Sequence, residues 1–201
     1  MNLVEHIHSG YIQKRRVHCL VGHLEQIIPR DAVVLDIGCG DGHLAALLSE
    51  RRPDIAVEGL DVLKRENTGV PVREFDGETI PYETRSVDVV MFIDVLHHVD
   101  NPVHILREAV RVSKRSIVIK DHLCDGWLAR ATLAFMDRVG NARYGVALPG
   151  NYWRMSQWEH IFRMLHLKPV AWHHKLQLYP RLLDPIFGRS LHFLTKLEST
   201  S

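Results

Sequence analysis

The sequence has little of what would tie it to an oxidising compartment, a membrane or a nucleic acid. Its 201 residues include three cysteines and no Cys-x-x-Cys pair, so neither a disulfide framework nor a cysteine-based zinc site is expected, and the thiols should be reduced. The 25 basic and 24 acidic residues give a formal net charge of +1, which predicts no general attraction to nucleic acid. No run of about 18 apolar residues occurs, and the first residues do not form a secretory signal. We therefore expect a cytoplasmic protein without a membrane span.

Apolar segments with two periodicities alternate along the first 120 residues. Short continuous apolar runs predict five buried parallel strands, at 32–37, 56–61, 71–76, 87–93 and 116–120. Apolar residues at helical spacing predict helices between them, at 9–28, 42–51 and 102–112. The link at 62–70 is too short for a full crossover helix and predicts a loop. Strands that alternate with helices indicate an α/β domain with a mainly parallel sheet.

The last third of the chain has a different pattern. We expect a helix at 125–139, a loop at 140–152, and a helix at 156–165 that Ser156 caps. Two final strands, at 168–178 and 191–197, should finish the sheet as an antiparallel hairpin.

A glycine-rich turn, VVLDIGCGDG from Val33 to Gly42, closes the first strand and opens a helix. Glycines allow a sharp turn and let a ligand lie against bare backbone, while the helix start offers unpaired N–H groups and the positive end of a dipole. A dinucleotide-binding turn would read Gly-x-Gly-x-x-Gly and place a glycine at position 43. That position is His43, so the spacing argues against a nicotinamide oxidoreductase.

The string VLDIGCGDGHLA resembles the first motif of class I S-adenosylmethionine-dependent methyltransferases. Asp61 at the end of the second strand, FDGETIPY at 75–82 and DVLHHVDNP at 94–102 are similar to later motifs of the small-molecule, type 11-like branch. The resemblance covers 32 to about 121, nearly half of the chain. It implies a Rossmann-like class I methyltransferase fold, with a mainly parallel seven-stranded sheet, an antiparallel C-terminal strand and helices on both faces.

The resemblance implies S-adenosylmethionine as cofactor and gives roles to nine residues. In the family, the acid and glycines of the first motif hold the methionine part, the acid of the second strand accepts the ribose hydroxyls, and the acid and glycine of the third motif reach the adenine. The acid that ends the fourth strand is expected beside the cofactor's amino group or methyl. The nine are Asp36, Gly38, Cys39, Gly40, Asp61, Val62, Asp76, Gly77 and Asp94.

Three histidines, His97, His98 and His122, are the candidate catalytic residues. They follow the fourth and fifth strands, whose carboxyl ends line the ligand crevice in this fold, as do Lys120 and Asp121. Imidazole can take a proton near neutral pH if the acceptor is a hydroxyl, although each ring could instead cap a turn or face solvent. Metal-dependent quinone O-methyltransferases place a second acid where this chain has His97, so no metal is expected.

Several residues are candidates for covering the bound ligands. Tyr11 and Arg16 on the first helix are expected to close over the cofactor. A lid over the acceptor is expected from the aromatic and amide side chains of 140–153, which are Asn141, Tyr144, Asn151, Tyr152 and Trp153.

The sequence therefore predicts an enzyme that transfers a methyl group from S-adenosylmethionine to an unidentified, small-molecule acceptor. Methylation of a protein or RNA, and a non-catalytic S-adenosylmethionine-binding module, are the alternatives. We expect one domain over 1–201. It would comprise a helical cap at 1–30, a cofactor-binding core at 31–123, and acceptor-side helices, the lid loop and the hairpin at 124–201. The oligomeric state is left open.

Overall fold

The computed structural model describes residues 10, 12–63, 65–141, 150–188 and 190–200. Five α-helices lie in these ranges: α1 Gln13–Ile27, α2 His43–Arg51, α3 Pro102–Val112, α4 Ala129–Asn141 and α5 Met155–Met164. The strands are β1 Val33–Ile37, β2 Ala56–Asp61, β3 Val72–Glu74, β4 Val87–Ile93, β5 Ser113–His122, β6 Leu167–His173 and β7 His192–Ser199. A 3-10 turn covers Leu96–His98, and a π-helical turn covers Asp184–Gly188.

The strands form one seven-stranded sheet in the order β3-β2-β1-β4-β5-β7-β6. Strands β1 to β5 are parallel, and β7 runs antiparallel to both β5 and β6. The expected mainly parallel sheet with an antiparallel C-terminal strand is confirmed. The chain order reverses between β1 and β4, so their carboxyl ends form the crevice where open α/β sheets bind ligands.

Both faces of the sheet are buried under helices, which explains the continuous apolar runs of its central strands. One face packs against α3 and α5, with Leu106 and Trp158 among the buried contacts. The other face packs against α1 and α2 through Leu24 and Leu48. None of the helices in the described ranges combines the length and apolar character needed to cross a bilayer.

The differences from the predicted elements lie at strand and helix ends, and the strand predicted at 168–178 ends at His173. Strand β5 is ten residues long and includes the two positions after Lys120 that were expected to follow it. The prediction that Ser156 caps α5 is wrong. The helix begins one residue earlier, and the Gln157 side chain accepts a hydrogen bond from the backbone N–H of Arg154, the N-cap residue. The described residues of 62–70 contain no helix, as expected.

Candidate active site

A cavity of about 910 Å³ lies at the carboxyl ends of β1, β2 and β4. Its size is at the upper end of the range for small-molecule sites. All nine predicted cofactor-binding residues and all three candidate catalytic histidines line it, together with Arg16. The structure therefore brings together residues spread from 16 to 122, although Tyr11 and Tyr144 lie outside the described residues.

The glycine loop between β1 and α2 has a backbone that only glycine adopts without strain. Gly38, Gly40 and Gly42 have φ values of +71°, +61° and +69°. A Cβ on Gly38 would lie 2.7 Å from Cγ2 of Val95, so this glycine also permits the close approach of the chain that follows β4. The loop is fastened to β2, because the Gly38 N–H donates to the Leu60 carbonyl over 2.7 Å.

Two neighbouring carboxyl groups stand at the base of this loop. Asp61 is tied to the backbone, since Oδ2 accepts the Gly40 N–H at 2.8 Å and Oδ1 accepts the Leu63 N–H at 2.9 Å. Asp36 is 3% exposed, and its burial, together with the negative charge of Asp61, raises its pKa to about 8. Burial and the same two acids raise the pKa of the Cys39 thiol, so this cysteine is an unreactive part of the wall.

The third motif forms the rim of the cavity. Asp76 Oδ1 accepts the backbone N–H groups of Thr79 and Glu78 at 2.7 and 2.8 Å, and these bonds lower the pKa of Asp76. Gly77 has φ +81°, and a Cβ there would lie 3.0 Å from the Val62 side chain. The rim thus presents an exposed apolar valine next to an ionised carboxylate.

A buried ion-pair group lies on the other side of the cavity, at the end of β4. Asp94, in the left-handed conformation at φ +57°, pairs with Lys120 and, at 2.9 Å, with Arg16. Burial alone would raise the pKa of Asp94, but Lys120 and Arg16 hold it well below its usual value. Arg16 therefore reaches from α1 to the cavity wall at the end of β4.

His97 lies between two carboxylates. Its Nδ1 donates to Asp121 Oδ1 at 2.7 Å, and its Nε2 lies 3.5 Å from Asp137 Oδ2. Burial opposes a charge here, but Asp121 and then Asp137 outweigh it and raise the pKa of His97 to about 10. This ring is an imidazolium at neutral pH and has no lone pair with which to accept a proton.

The other two candidate histidines are neutral. Burial and the charge of His97 lower the pKa of His98, whose ring centroid lies 4.0 Å from that of His97. Burial, His97 and Lys120 hold the pKa of His122 well below its usual value. Of the three predicted catalytic histidines, His98 and His122, which both line the cavity, therefore have a lone pair on one ring nitrogen.

Three residues beside the histidines were not predicted to touch them. Asp137 comes from α4, Tyr152 donates a short hydrogen bond from its hydroxyl to Asp137, and His192 opens β7 behind His122. A signal existed for two of them. Asp137 shares the buried face of α4 with Leu133, four residues before it. His192 directly precedes the apolar pair Phe193 and Leu194 at the buried start of β7.

The lid segment is described only in part. Asn151 contacts the 3-10 turn, because its N–H donates to the His97 carbonyl at 3.1 Å and its Nδ2 donates to the Val99 carbonyl at 2.8 Å. Asn151 thus lies against the candidate catalytic turn and Tyr152 stacks on His97, whereas Trp153 packs against Trp158 in the core. The segment 142–149 lies outside the described residues.

Two sets of three donor groups come within 4.8 Å of one another: His97, Asp121 and His122, and His97, His98 and Asp137. A divalent cation at either set would add positive charge to a group of side chains whose charges already balance. The carboxylates of Asp94, Asp121 and Asp137 already face the cations Arg16, Lys120 and protonated His97. The absence of a resident metal stays a prediction, and this balance is its support.

Comparison with known proteins finds methyltransferases. Residues 35–119 match a family described as a methyltransferase domain. The 27-O-demethylrifamycin SV methyltransferase of Amycolatopsis mediterranei (strain S699) is 27% identical over 129 residues, which are 54% of this chain and 47% of that protein. The chain thus spans about half the length of this curated relative.

Two solved structures show the same fold. An S-adenosylmethionine-dependent methyltransferase from Mesorhizobium loti superimposes with a TM-score of 0.64 at 13% identity, over 88% of this chain and 96% of that one. The 4+2 cyclase SpnF superimposes with a TM-score of 0.62 at 14% identity, over 92% and 80% of the two chains. The expected Rossmann-like class I fold is confirmed.

Proposed function

We propose that the chain is a class I S-adenosylmethionine-dependent methyltransferase of the type 11 branch, because residues 35–119 match a methyltransferase domain. It transfers a methyl group from S-adenosylmethionine to a small-molecule acceptor. One observation carries the proposal. A single cavity joins the glycine loop and its carboxylates to a buried cluster of histidines and acids. The carboxylates of the glycine-loop half suit a ligand that donates hydrogen bonds from an amine and from hydroxyls. The histidines and acids of the other half can accept and release a proton.

The residues of the glycine-loop half fit this cofactor in charge and shape. Asp36 and the bare backbone of the loop would hold its methionine part, and both oxygens of Asp61 keep lone pairs for the ribose hydroxyls beside their backbone bonds. Asp76 and Gly77 would border the adenine, with Val62 as an apolar surface against the ring. Cys39 would complete the wall beneath them.

S-adenosylmethionine supplies an electrophilic methyl carbon, so the protein mainly has to position the acceptor and exclude water. Asp94 is neutralised by Lys120 and Arg16, and this fixed group would define the boundary between cofactor and acceptor. His97, as an imidazolium held between Asp121 and Asp137, would place a fixed positive charge beside the acceptor. A neutral histidine would accept the proton that the acceptor loses.

A small-molecule acceptor is favoured because the acid–histidine cluster is buried. His97, His122 and Asp121 are each at most 4% exposed, so an acceptor has to enter the cavity to reach them. The curated relative is named for an O-demethylated small molecule, which agrees with a hydroxyl acceptor. The cytoplasmic location is proposed with it, on the basis of three free cysteines.

Binding and turnover test the proposal separately. Titration calorimetry with S-adenosylmethionine should give a micromolar Kd, and Asp61→Ala should weaken it at least 10-fold. Glu66→Gln, an exposed carboxyl change, should leave the Kd unaltered. No binding at high micromolar cofactor would contradict the proposal.

Methyl transfer needs its own assay, because the same fold occurs in the cyclase SpnF. The protein would be incubated with methyl-labelled S-adenosylmethionine and panels of hydroxylated small molecules, protein extract or RNA. We expect label in the small-molecule panel. Label confined to protein or RNA would replace the small-molecule acceptor by a macromolecular one, and binding without any transfer would leave a non-catalytic module.

A further inference from the structure

The antiparallel pairing of β5 with β7 places His122 directly opposite His192. Residues opposite each other on neighbouring strands are close enough for their side chains to interact. Here Nδ1 of His122 lies 3.1 Å from Nδ1 of His192, and the ring centroids are 4.9 Å apart. His192 is 1% exposed and stands behind His122, which lines the cavity.

The hydrogen-bond partners of His192 decide where its proton is. Its Nε2 lies 3.0 Å from the Phe187 carbonyl oxygen, which can only accept, so Nε2 carries the hydrogen. Its Nδ1 is left as an acceptor, and two nitrogen atoms lie within reach of it: His122 Nδ1 at 3.1 Å and the Lys120 Nζ at 3.4 Å. The Phe187 carbonyl thus fixes the tautomer of His192.

The tautomer of His122 follows from that of His192. Since His192 Nδ1 accepts, His122 Nδ1 donates and carries the hydrogen, and the neutral ring then keeps its lone pair on Nε2. This atom lies 3.7 Å from Asp94 Oδ1 and 3.7 Å from Asp137 Oδ1. The two carboxylates would stabilise a positive charge on His122 once it takes a proton.

We propose that His192 is a positioning residue that holds His122 in the Nδ1–H tautomer, so that His122 Nε2 accepts the proton of a hydroxyl acceptor. This inference rests on the proposed methyl transfer. The acceptor oxygen bonds to the methyl carbon while the carbon–sulfur bond breaks and its electron pair goes to sulfur, and the hydroxyl proton moves to His122 Nε2.

A weakly basic imidazole is sufficient for this step. The hydroxyl proton becomes strongly acidic as the oxygen gives its electrons to the methyl carbon, so the base does not need a high proton affinity. It needs a free lone pair in every turnover, and a neutral ring with a fixed tautomer provides one. His97 lacks this property because it is protonated between Asp121 and Asp137.

The tautomers can be read without any acceptor. Two-bond proton–nitrogen NMR spectra of the full chain, labelled with 15N-histidine and recorded near pH 7.5, show which ring nitrogen carries the hydrogen. We expect the Nδ1–H form for His122, and the Nε2–H form for His192. In His192→Leu, His122 should change to the Nε2–H form. In His192→Asn, whose side-chain oxygen replaces the accepting Nδ1, His122 should keep the Nδ1–H form.

The kinetic arm uses an acceptor found in the hydroxylated panel. His122→Gln should lower kcat at least 100-fold, His192→Leu should lower it roughly 10- to 100-fold, and His192→Asn should restore the rate to within about 3-fold. The Kd for S-adenosylmethionine should stay within about 3-fold in all three. His160→Leu, a substitution at an exposed histidine of α5, is the matched control.

Distinct outcomes would overturn this inference and the proposed function. An Nε2–H or doubly protonated His122 in the unmodified chain would refute the inference, even if methyl transfer occurs. A large loss in His98→Ala with normal turnover in His122→Gln would also refute it, by assigning the base to His98. The predicted tautomers in a chain that does not bind S-adenosylmethionine would refute the proposed function and, with it, the catalytic part of the inference.

Discussion

The buried carboxyl group of Asp36 gives a stability prediction whose size follows from its surroundings. Burial and the charge of Asp61 raise its pKa from the ordinary 3.8 to about 8. The shift is about 4 units, and each unit corresponds to about 1.4 kcal/mol of difference between the two protonation states. Asp36 therefore costs the folded chain up to about 6 kcal/mol at pH 8 and above. Asp36→Asn keeps the shape and removes the ionisable group.

The sign and the pH window of this effect are defined. Below about pH 4 the carboxyl is protonated in the folded and the unfolded chain, so it costs nothing. Between about pH 4 and pH 8 the unfolded chain ionises while the folded chain keeps its proton, and stability falls by about 1.4 kcal/mol per pH unit. The free energy of unfolding of Asp36→Asn should equal that of the unmodified protein near pH 4 and exceed it by several kcal/mol at pH 8.

Urea unfolding followed by tryptophan fluorescence at pH 4, 6 and 8 measures this difference, with the fully buried Trp158 as a probe of the core. Glu66→Gln, at an exposed position, should show no such pH-dependent gain. A gain of equal size at all three pH values, or a variant less stable at pH 8, would refute the argument from burial. Asp36→Asn should also bind S-adenosylmethionine more weakly than the unmodified protein does. Asp36 would then serve ligand binding at a cost to the stability of the fold.

Three further predictions concern other parts of the cavity. Gly38→Ala should lower the free energy of unfolding by about 2–4 kcal/mol, because its Cβ meets Val95 at a positive φ; adding Val95→Ala should recover part of this loss in the same urea assay. Asp137→Asn should lower the pKa of His97 from about 10, measured by an NMR titration, and an unchanged pKa would mean that Asp121 alone holds the charge. Because a raised histidine pKa stabilises the folded state fully below about pH 6.5 and progressively less up to about pH 10, the stability of Asp137→Asn should fall less over that range than that of the unmodified protein. A parallel fall in both proteins would contradict this account.

The sequence by itself determined the glycine-loop half of the cavity and the fold that carries it. The loop backbone has a positive φ at Gly38, Gly40 and Gly42, which favours glycine at all three positions. Asp61 ends β2, whose bounds are those predicted. These requirements act over a few residues, so the local sequence contains them. The Ser156 cap shows where such local reasoning is weakest, because several polar residues near a helix start compete for the same backbone donors.

Only the tertiary structure decided the half of the cavity that holds the histidines and their acids. Asp137, Tyr152 and His192 reach the histidines from α4, from the segment before α5 and from β7, up to 70 residues along the chain. The expectation of no metal rested on a histidine at position 97 in place of a second acid, whereas folding places Asp121 and Asp137 on either side of that ring. Whether each histidine is charged, and which nitrogen holds its proton, depends on burial and on charges brought together by packing. No reading of adjacent residues contains that information.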